Sequence, residues 1–93
     1  MQTSLGTRYK DPNAKLDYKV DWSLWLTTGD EIASVTWTVP AGLTNEAVAN
    51  TTTTATIWLS SGTLDASYDV ACKVTTTDGR IDERTFRIYV INR

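Results

Sequence analysis

The chain has 93 residues, a length that fits one domain able to bury a core without metal or disulfide support. Its formal net charge of −2 argues against a general binder of nucleic acid or of anionic membranes, because either partner requires a basic face. The chain has no histidine and one cysteine, so it lacks the commonest zinc ligand and the usual general base, and no disulfide can form within it.

The start of the chain and its apolar runs give no sign of secretion or membrane insertion. Polar residues 2–4 stand where a signal peptide would carry a basic and then an apolar stretch. No apolar run approaches the roughly 18 residues of a membrane span. A small secreted sandwich commonly contains a disulfide, and a single cysteine can form none within the chain. We therefore expect synthesis in a reducing cytoplasm.

Residues 1–13 show neither the two-residue period of a strand nor the period of a helix. Gly6 and the sequence DPN at 11–13 favour turns. We therefore predict an extended N-terminal arm that ends in a turn, separate from a domain at residues 14–93. The arm is either a frayed terminus or a tether that orders on a neighbouring subunit, and arginine and tyrosine are enriched at such contacts. The candidate contact residues of the arm are Leu5, Arg8 and Tyr9.

The first strand of the domain is predicted at residues 14–22, which alternate as a half-buried strand does. Its predicted inward-facing residues are Leu16, Tyr18, Val20 and Trp22. Residues 24–26 (LWL) then break the two-residue period, which a corner, a bulge or a short helical turn would explain. Trp25 is therefore either a core residue or a surface aromatic, and we expect it to be partly exposed.

The segment at residues 30–42 is predicted to contain a core strand that pairs with a strand at 68–74. Its inward-facing residues are Val35, Trp37 and Val39. Pro40 has no N–H for the ladder, so pairing should end there. Trp37 is the largest apolar side chain of this segment, and we predict it at the centre of the core. A weaker segment at 43–51 predicts a short or irregular strand.

Three further strands are predicted at residues 52–60, 68–74 and 83–92, each with a two-residue period. Their inward-facing residues are Ala55, Ile57, Leu59, Tyr68, Val70, Cys72, Val74, Phe86, Ile88 and Val90. The same alternation directs Trp58 and Tyr89 to the outer faces of their sheets.

About seven strands at roughly ten-residue spacing, with turn sequences between them, are typical of an antiparallel sandwich. The Asp-Gly pair at 78–79 favours a type I′ hairpin, in which both central residues have positive φ. The stretch LDASYDV at 64–70 resembles the approach to strand F of immunoglobulin-like domains, where a tyrosine hydroxyl bonds back to upstream backbone. Val70 stands where that family has a cysteine. We predict an all-β fold, an immunoglobulin-like antiparallel β-sandwich of about seven strands with an extended N-terminal arm and no disulfide.

The sequence predicts no catalytic, cofactor or metal site, and we expect a protein that is not an enzyme. Cys72 occupies an inward position and is predicted to be a buried, inert thiol. Acidic side chains are adjacent at 30–31 and at 82–83, and adjacent residues of a strand point to opposite faces. Neither pair belongs to a calcium-binding loop, so we expect solvated turn charges. The five glycines are scattered at turns and form no phosphate loop.

Four tryptophans and four tyrosines exceed what a core of this size requires. The surplus forms either an outer-face cluster covered by long side chains or a protein–protein interface, where tryptophan is common. The candidate contact residues outside the arm are Trp25, Trp58 and Tyr89.

Long stretches of the sequence resemble a family of small tailed-phage structural proteins, described as fiber–tail adaptor or head–tail-region proteins with an immunoglobulin-like fold. The stretches that carry the resemblance are KDPNAKLDY at 10–18, DW at 21–22, DEIASVTWTVPAGL at 30–43, TIWLSSGT at 56–63 and the hairpin around 79–80. Together they cover nearly the whole chain from about residue 10.

The resemblance implies a virion structural protein, made in the cytoplasm of the bacterial host, that joins fiber or tail components to the particle. Its implied partners are other virion proteins: fiber, tail, head–tail connector or capsid. It further implies several copies in a symmetric assembly. From the charge and the residue content we expect no nucleic acid, membrane or cofactor as a partner. The family supplies no catalytic residues.

Two other functions remain open from the sequence. A capsid decoration protein would cover the head in many copies. A carbohydrate-binding sandwich would use Trp25 and Trp58 as stacking platforms.

Overall fold

The computed structural model of the chain describes the backbone of residues 2–92 and the side chains of residues 6–92. The described residues form seven strands and no helix. The strands are β1 (Gln2–Lys10), β2 (Leu16–Asp21), β3 (Ile32–Thr38), β4 (Leu43–Asn50), β5 (Thr54–Ser61), β6 (Ser67–Thr76) and β7 (Ile81–Val90).

The strands form two sheets, one in the order β1-β7-β6-β3 and one in the order β2-β5-β4. Neighbouring strands are antiparallel, except that β1 runs parallel to β7. The all-β fold and the seven strands are confirmed, and this partition is consistent with an immunoglobulin-like β-sandwich. Among the described strands, the parallel β1–β7 pair is the exception to the predicted antiparallel arrangement.

Residues 2–10 of the predicted extended arm form the strand β1. This strand pairs with β7 from Gln2 opposite Glu83 to Lys10 opposite Val90. A register shift between residues 4 and 7 surrounds Gly6, whose φ is +85°. Such a bulge changes which face the following residues point to, so the strand period disappears from the sequence. The predicted turn at 11–13 is confirmed by the bond from Ala14 N to Asp11 O.

Lys10 ties the end of β1 into the sandwich. Its side chain is fully buried, and Nζ donates to the carbonyl oxygens of Asp11 at 2.9 Å and Ser61 at 2.5 Å. Burial lowers the pKa of this ammonium group, an effect that the charge of Asp11 opposes. The two carbonyl acceptors satisfy a cation that burial alone would make costly.

The core tryptophan is Trp22, and the prediction that Trp37 lies at the core centre is wrong. Trp22 is fully buried, whereas Trp37 is half-buried and packs edge-on against Phe86, with 6.4 Å between ring centroids. The reason is topological, because Trp37 belongs to β3, an edge strand with a neighbour on one side only. The fully or nearly buried apolar residues are Val20, Trp22, Ile32, Leu43, Ala55, Ile57, Leu59, Val70, Cys72, Val74, Phe86, Ile88 and Val90.

Two tryptophan and two arginine side chains pack the segment after β2 against β7 and the turn before it. The guanidinium groups of Arg84 and Arg80 each lie 4.2 Å from a ring centroid, over Trp22 and Trp25 respectively. The two indoles meet edge to face at 5.1 Å. Backbone bonds from the N–H groups of residues 25 and 26 to Trp22 O make the tight turn that breaks the sequence period here.

The predicted tyrosine corner is confirmed. The hydroxyl of Tyr68 accepts a bond from the N–H of Thr63 at 3.0 Å. Gly42 lies against this ring with φ +105°, and a Cβ at that position would come within 2.7 Å of it. The predicted type I′ turn is wrong, because Gly79 has positive φ but Asp78 does not. Four residues separate β6 from β7, and loops of that length are most often built around a type I turn.

Candidate interaction surfaces

The five predicted contact residues whose side chains the structure describes do not form one site. Tyr9 and Tyr89 meet on the outer face of the four-stranded sheet, whereas Trp58 lies on the outer face of the other sheet. Trp25 lies in the loop after β2. Arg8 is exposed on the edge strand β1. The side chain of Leu5 falls outside the described residues.

The first surface, which we call the tyrosine face, consists of Tyr9, Tyr89, Arg87 and Asp69. The two tyrosines are direct partners in the β1–β7 ladder, and their rings meet edge to face at 6.2 Å. Tyr9 is 48% exposed. Beside them Arg87 Nε donates to Asp69 Oδ1 at 3.0 Å across the β6–β7 pair, and the bond raises the pKa of the guanidinium. The face therefore offers aromatic edges next to a paired, exposed charge.

The second surface, which we call the tryptophan face, consists of Trp58 with its ladder neighbours Asp17 on β2 and Ala47 on β4. The outward orientation predicted for Trp58 is confirmed, with 39% of the residue exposed. Because Ala47 is small, it leaves one side of the indole open, and Asp17 places a carboxylate on the other. This arrangement suits an apolar contact bordered by a hydrogen-bond acceptor.

The predicted partial exposure of Trp25 is confirmed, but its ring has structural contacts. One face lies under Arg80, whose Nη1 also donates to Trp25 O at 3.1 Å, and Trp22 packs against the ring. A sugar would have to displace the guanidinium in order to stack there. The neighbouring Leu24 is fully exposed, and sequence reasoning missed it because a solvent-facing leucine cannot be told from a core leucine by composition.

Asp30 joins two loops at the same end of the sandwich, and the prediction that it is a solvated turn charge is wrong. It is 6% exposed, and Oδ1 accepts bonds from Glu31 N, Thr77 Oγ1 and Asp78 N at 2.9 to 3.1 Å. Burial raises the pKa of this carboxyl, but hydrogen bonds, first from Thr76 and then from Asp78, Thr77 and Glu31, outweigh it and leave the pKa below its usual value. No local sequence pattern indicates this role, since only the fold brings residue 30 to the β6–β7 hairpin.

Cys72 is fully buried, as predicted, and burial raises the pKa of its thiol to about 11. No cluster of three or more metal-ligating side chains occurs among the described residues. The part of the chain that the structure describes contains no helix capable of spanning a membrane.

A family model shows to which protein family the chain belongs. The model described as podophage GP4 fiber-tail adaptor protein gp77 matches residues 10–89, which is most of the chain. The chain belongs to this family. The resemblance found in the sequence is thereby confirmed, and membership implies a structural protein of the phage virion.

Other comparisons add only the fold. No curated protein matches the chain. One similar solved structure is a 2,6-sialyltransferase of the Vibrionaceae bacterium Photobacterium sp. JT-ISH-224, crystallised with CMP and lactose. It matches at 7% identity with a TM-score of 0.58, over 99% of this chain but 18% of the transferase chain. The chain thus spans about a fifth of that enzyme, and so distant a likeness shows a shared fold alone.

Proposed function

We propose that this adaptor protein joins a fiber to the tail of the particle through protein–protein contacts, one partner on the tyrosine face and the other on the tryptophan face. The observation that carries the proposal is the position of exposed aromatics on the outer faces of both sheets. Exposed aromatic residues are common anchors at protein contacts. The family description supplies the two classes of partner.

The size of the sandwich supports separate partners. Its principal extents are 42 × 24 × 20 Å, so the two outer faces are separated by the full thickness of both sheets. A single flat partner covers one face and leaves the other free. We further propose that several copies work in a symmetric assembly.

Two single variants test the proposal in particles assembled with the altered protein. Tyr9→Ala and Trp58→Ala each remove one anchor, and mass spectrometry of purified particles measures the content of adaptor and of fiber. We expect two different phenotypes: one variant stays on the particle without fiber, and the other is lost from the particle together with the fiber.

Leu64→Ala is the matched control, because Leu64 is an exposed apolar residue in the turn between β5 and β6, outside both faces. It should give normal particles. The proposal is wrong if both face variants have the same defect, or if both assemble normally while remaining folded.

A further inference from the structure

The four edges of the two sheets are not equally protected against pairing with another strand. Unpaired backbone groups at an edge are a template for pairing, and proteins usually protect them with charges or bulges. The edge strands β1, β2 and β4 contain charged residues, which are Arg8, Lys10, Asp17, Lys19, Asp21 and Glu46. Strand β3 has none, and its register shift lies at its start, so residues 34–38 are regular and neutral.

The side chains of β3 also lack cover. The strand has β6 on one side, and no described strand lies on the other. Its inward-facing residues Val35 and Trp37 are only half-buried, although they face the core. The start of the strand is fixed by the bond from Ile32 N to Thr52 O at 2.9 Å, so the free edge is held in a defined position.

We propose that β3 is a self-association edge, on which the β3 strand of a second copy of this chain pairs antiparallel about a two-fold axis at Thr36. In this register Val35 lies opposite Trp37 of the second copy, an aromatic–β-branched pair that stabilises a sheet. The pairing joins two four-stranded sheets into one and covers the half-buried Trp37 on its open side.

The residues of β3 are self-complementary about Thr36, which favours a second copy as the occupant of this edge. A two-fold axis sets its own residue opposite the same residue of the second copy, so an axis on a charged residue brings like charges together. Pairing of β2 about Lys19, for example, would set lysine opposite lysine, whereas β3 brings together only neutral side chains. The inference concerns self-association and stands independently of the proposed fiber and tail contacts.

Sedimentation equilibrium from about 10 μM to 1 mM tests the association itself. We expect the mass to rise with concentration from 10.3 kDa toward twice that value. Thr36→Lys puts two ammonium groups opposite each other at the axis and should shift the midpoint of association at least ten-fold higher in concentration. Ala49→Lys adds the same charge at an exposed position of the β4 edge, outside both faces, and should leave association unchanged. Thermal melts of both variants show that each is folded.

A cysteine pair tests the register. Thr36→Cys places two thiols directly opposite each other, at the Cα separation that a disulfide accepts. Thr38→Cys is equally exposed on the same face and strand, but the two thiols would be four residues out of register, about 14 Å apart. We expect oxidation to link Thr36→Cys into dimers at least ten times faster than Thr38→Cys, as measured by non-reducing electrophoresis. Cys72 remains buried in both.

Three results would overturn the inference. The first is a mass of 10.3 kDa throughout, with equal cross-linking of the two cysteine variants. The second is association that Ala49→Lys abolishes and Thr36→Lys leaves intact, which would place the interface on β4. The third is growth beyond the dimer, which would show a contact between unlike surfaces rather than a two-fold pair.

Discussion

Trp22→Ala should be far more damaging than Trp37→Ala, although both tryptophans occupy inward positions. Trp22 is fully buried between the guanidinium of Arg84 and the ring of Trp25. Removing a buried aromatic of this kind costs about 3–5 kcal/mol. A domain of this length has a total stability of roughly 5–14 kcal/mol, so the variant loses a large part of it.

Trp37 is half-buried on an edge strand and leaves a smaller unfilled volume when it is truncated. We expect Trp37→Ala to cost about half as much, on the order of 1.5–2.5 kcal/mol, because the loss follows the apolar area withdrawn from water. Trp58→Ala, on an outer face, should change the unfolding free energy by about 1 kcal/mol or less.

Urea titrations monitored by far-ultraviolet circular dichroism measure all three variants without relying on tryptophan fluorescence. If Trp22→Ala fails to fold, Trp22→Phe provides the comparison and should still lose more stability than Trp37→Phe. A larger loss for Trp37 than for Trp22 would refute the assignment of Trp22 as the core tryptophan.

Three more predictions follow from single residues. Gly42→Ala should lower the free energy of unfolding by about 1–3 kcal/mol because of its positive φ, and further because the new Cβ clashes with Tyr68. Gly29 also has positive φ but has open space around it, so Gly29→Ala should show the backbone cost alone when both variants are compared by urea titration. The pKa of Asp30 in the folded state lies below its ordinary 3.8, so its contribution to the free energy of unfolding is present above that pH and is lost as the pH falls further. Asp30→Asn should remove this part of the acid dependence of the melting temperature, and an unchanged acid profile would contradict the prediction. Cys72, with a pKa of about 11, should resist iodoacetamide at pH 8 in the native protein and react in urea, and rapid native labelling would refute its burial.

The faces of the central strands could be predicted from the sequence, because alternation alone decides which side of a strand is buried. In β5 the residues Ala55, Ile57 and Leu59 are fully buried and Trp58 faces outward, as the two-residue period indicates. The tyrosine corner could also be predicted, since its hydrogen bond joins two residues only five positions apart, Thr63 and Tyr68.

Features that depend on the order of strands could not be predicted in the same way. Periodicity assigns Trp37 to the core face but does not reveal that β3 is an edge strand, which leaves the ring half-buried. Because of the bulge at Gly6, the sequence of β1 does not show the two-residue period of a regular strand. The buried role of Asp30 depends on Thr77 and Asp78, nearly fifty residues away, which only the folded chain brings near it.

The proposed contacts on the two outer faces and the proposed self-association at the β3 edge are compatible, because pairing at an edge extends a sheet within its own plane. A two-fold pair at Thr36 therefore leaves the tyrosine face and the tryptophan face uncovered on both copies. Two linked copies bind a repetitive partner through two contacts at once, and such linkage strengthens binding without any new contact surface. Thr36→Lys should consequently leave the affinity of one isolated face for a monomeric partner unchanged while it weakens retention on an assembled particle. An equal loss in both assays would show that β3 contacts the partner directly.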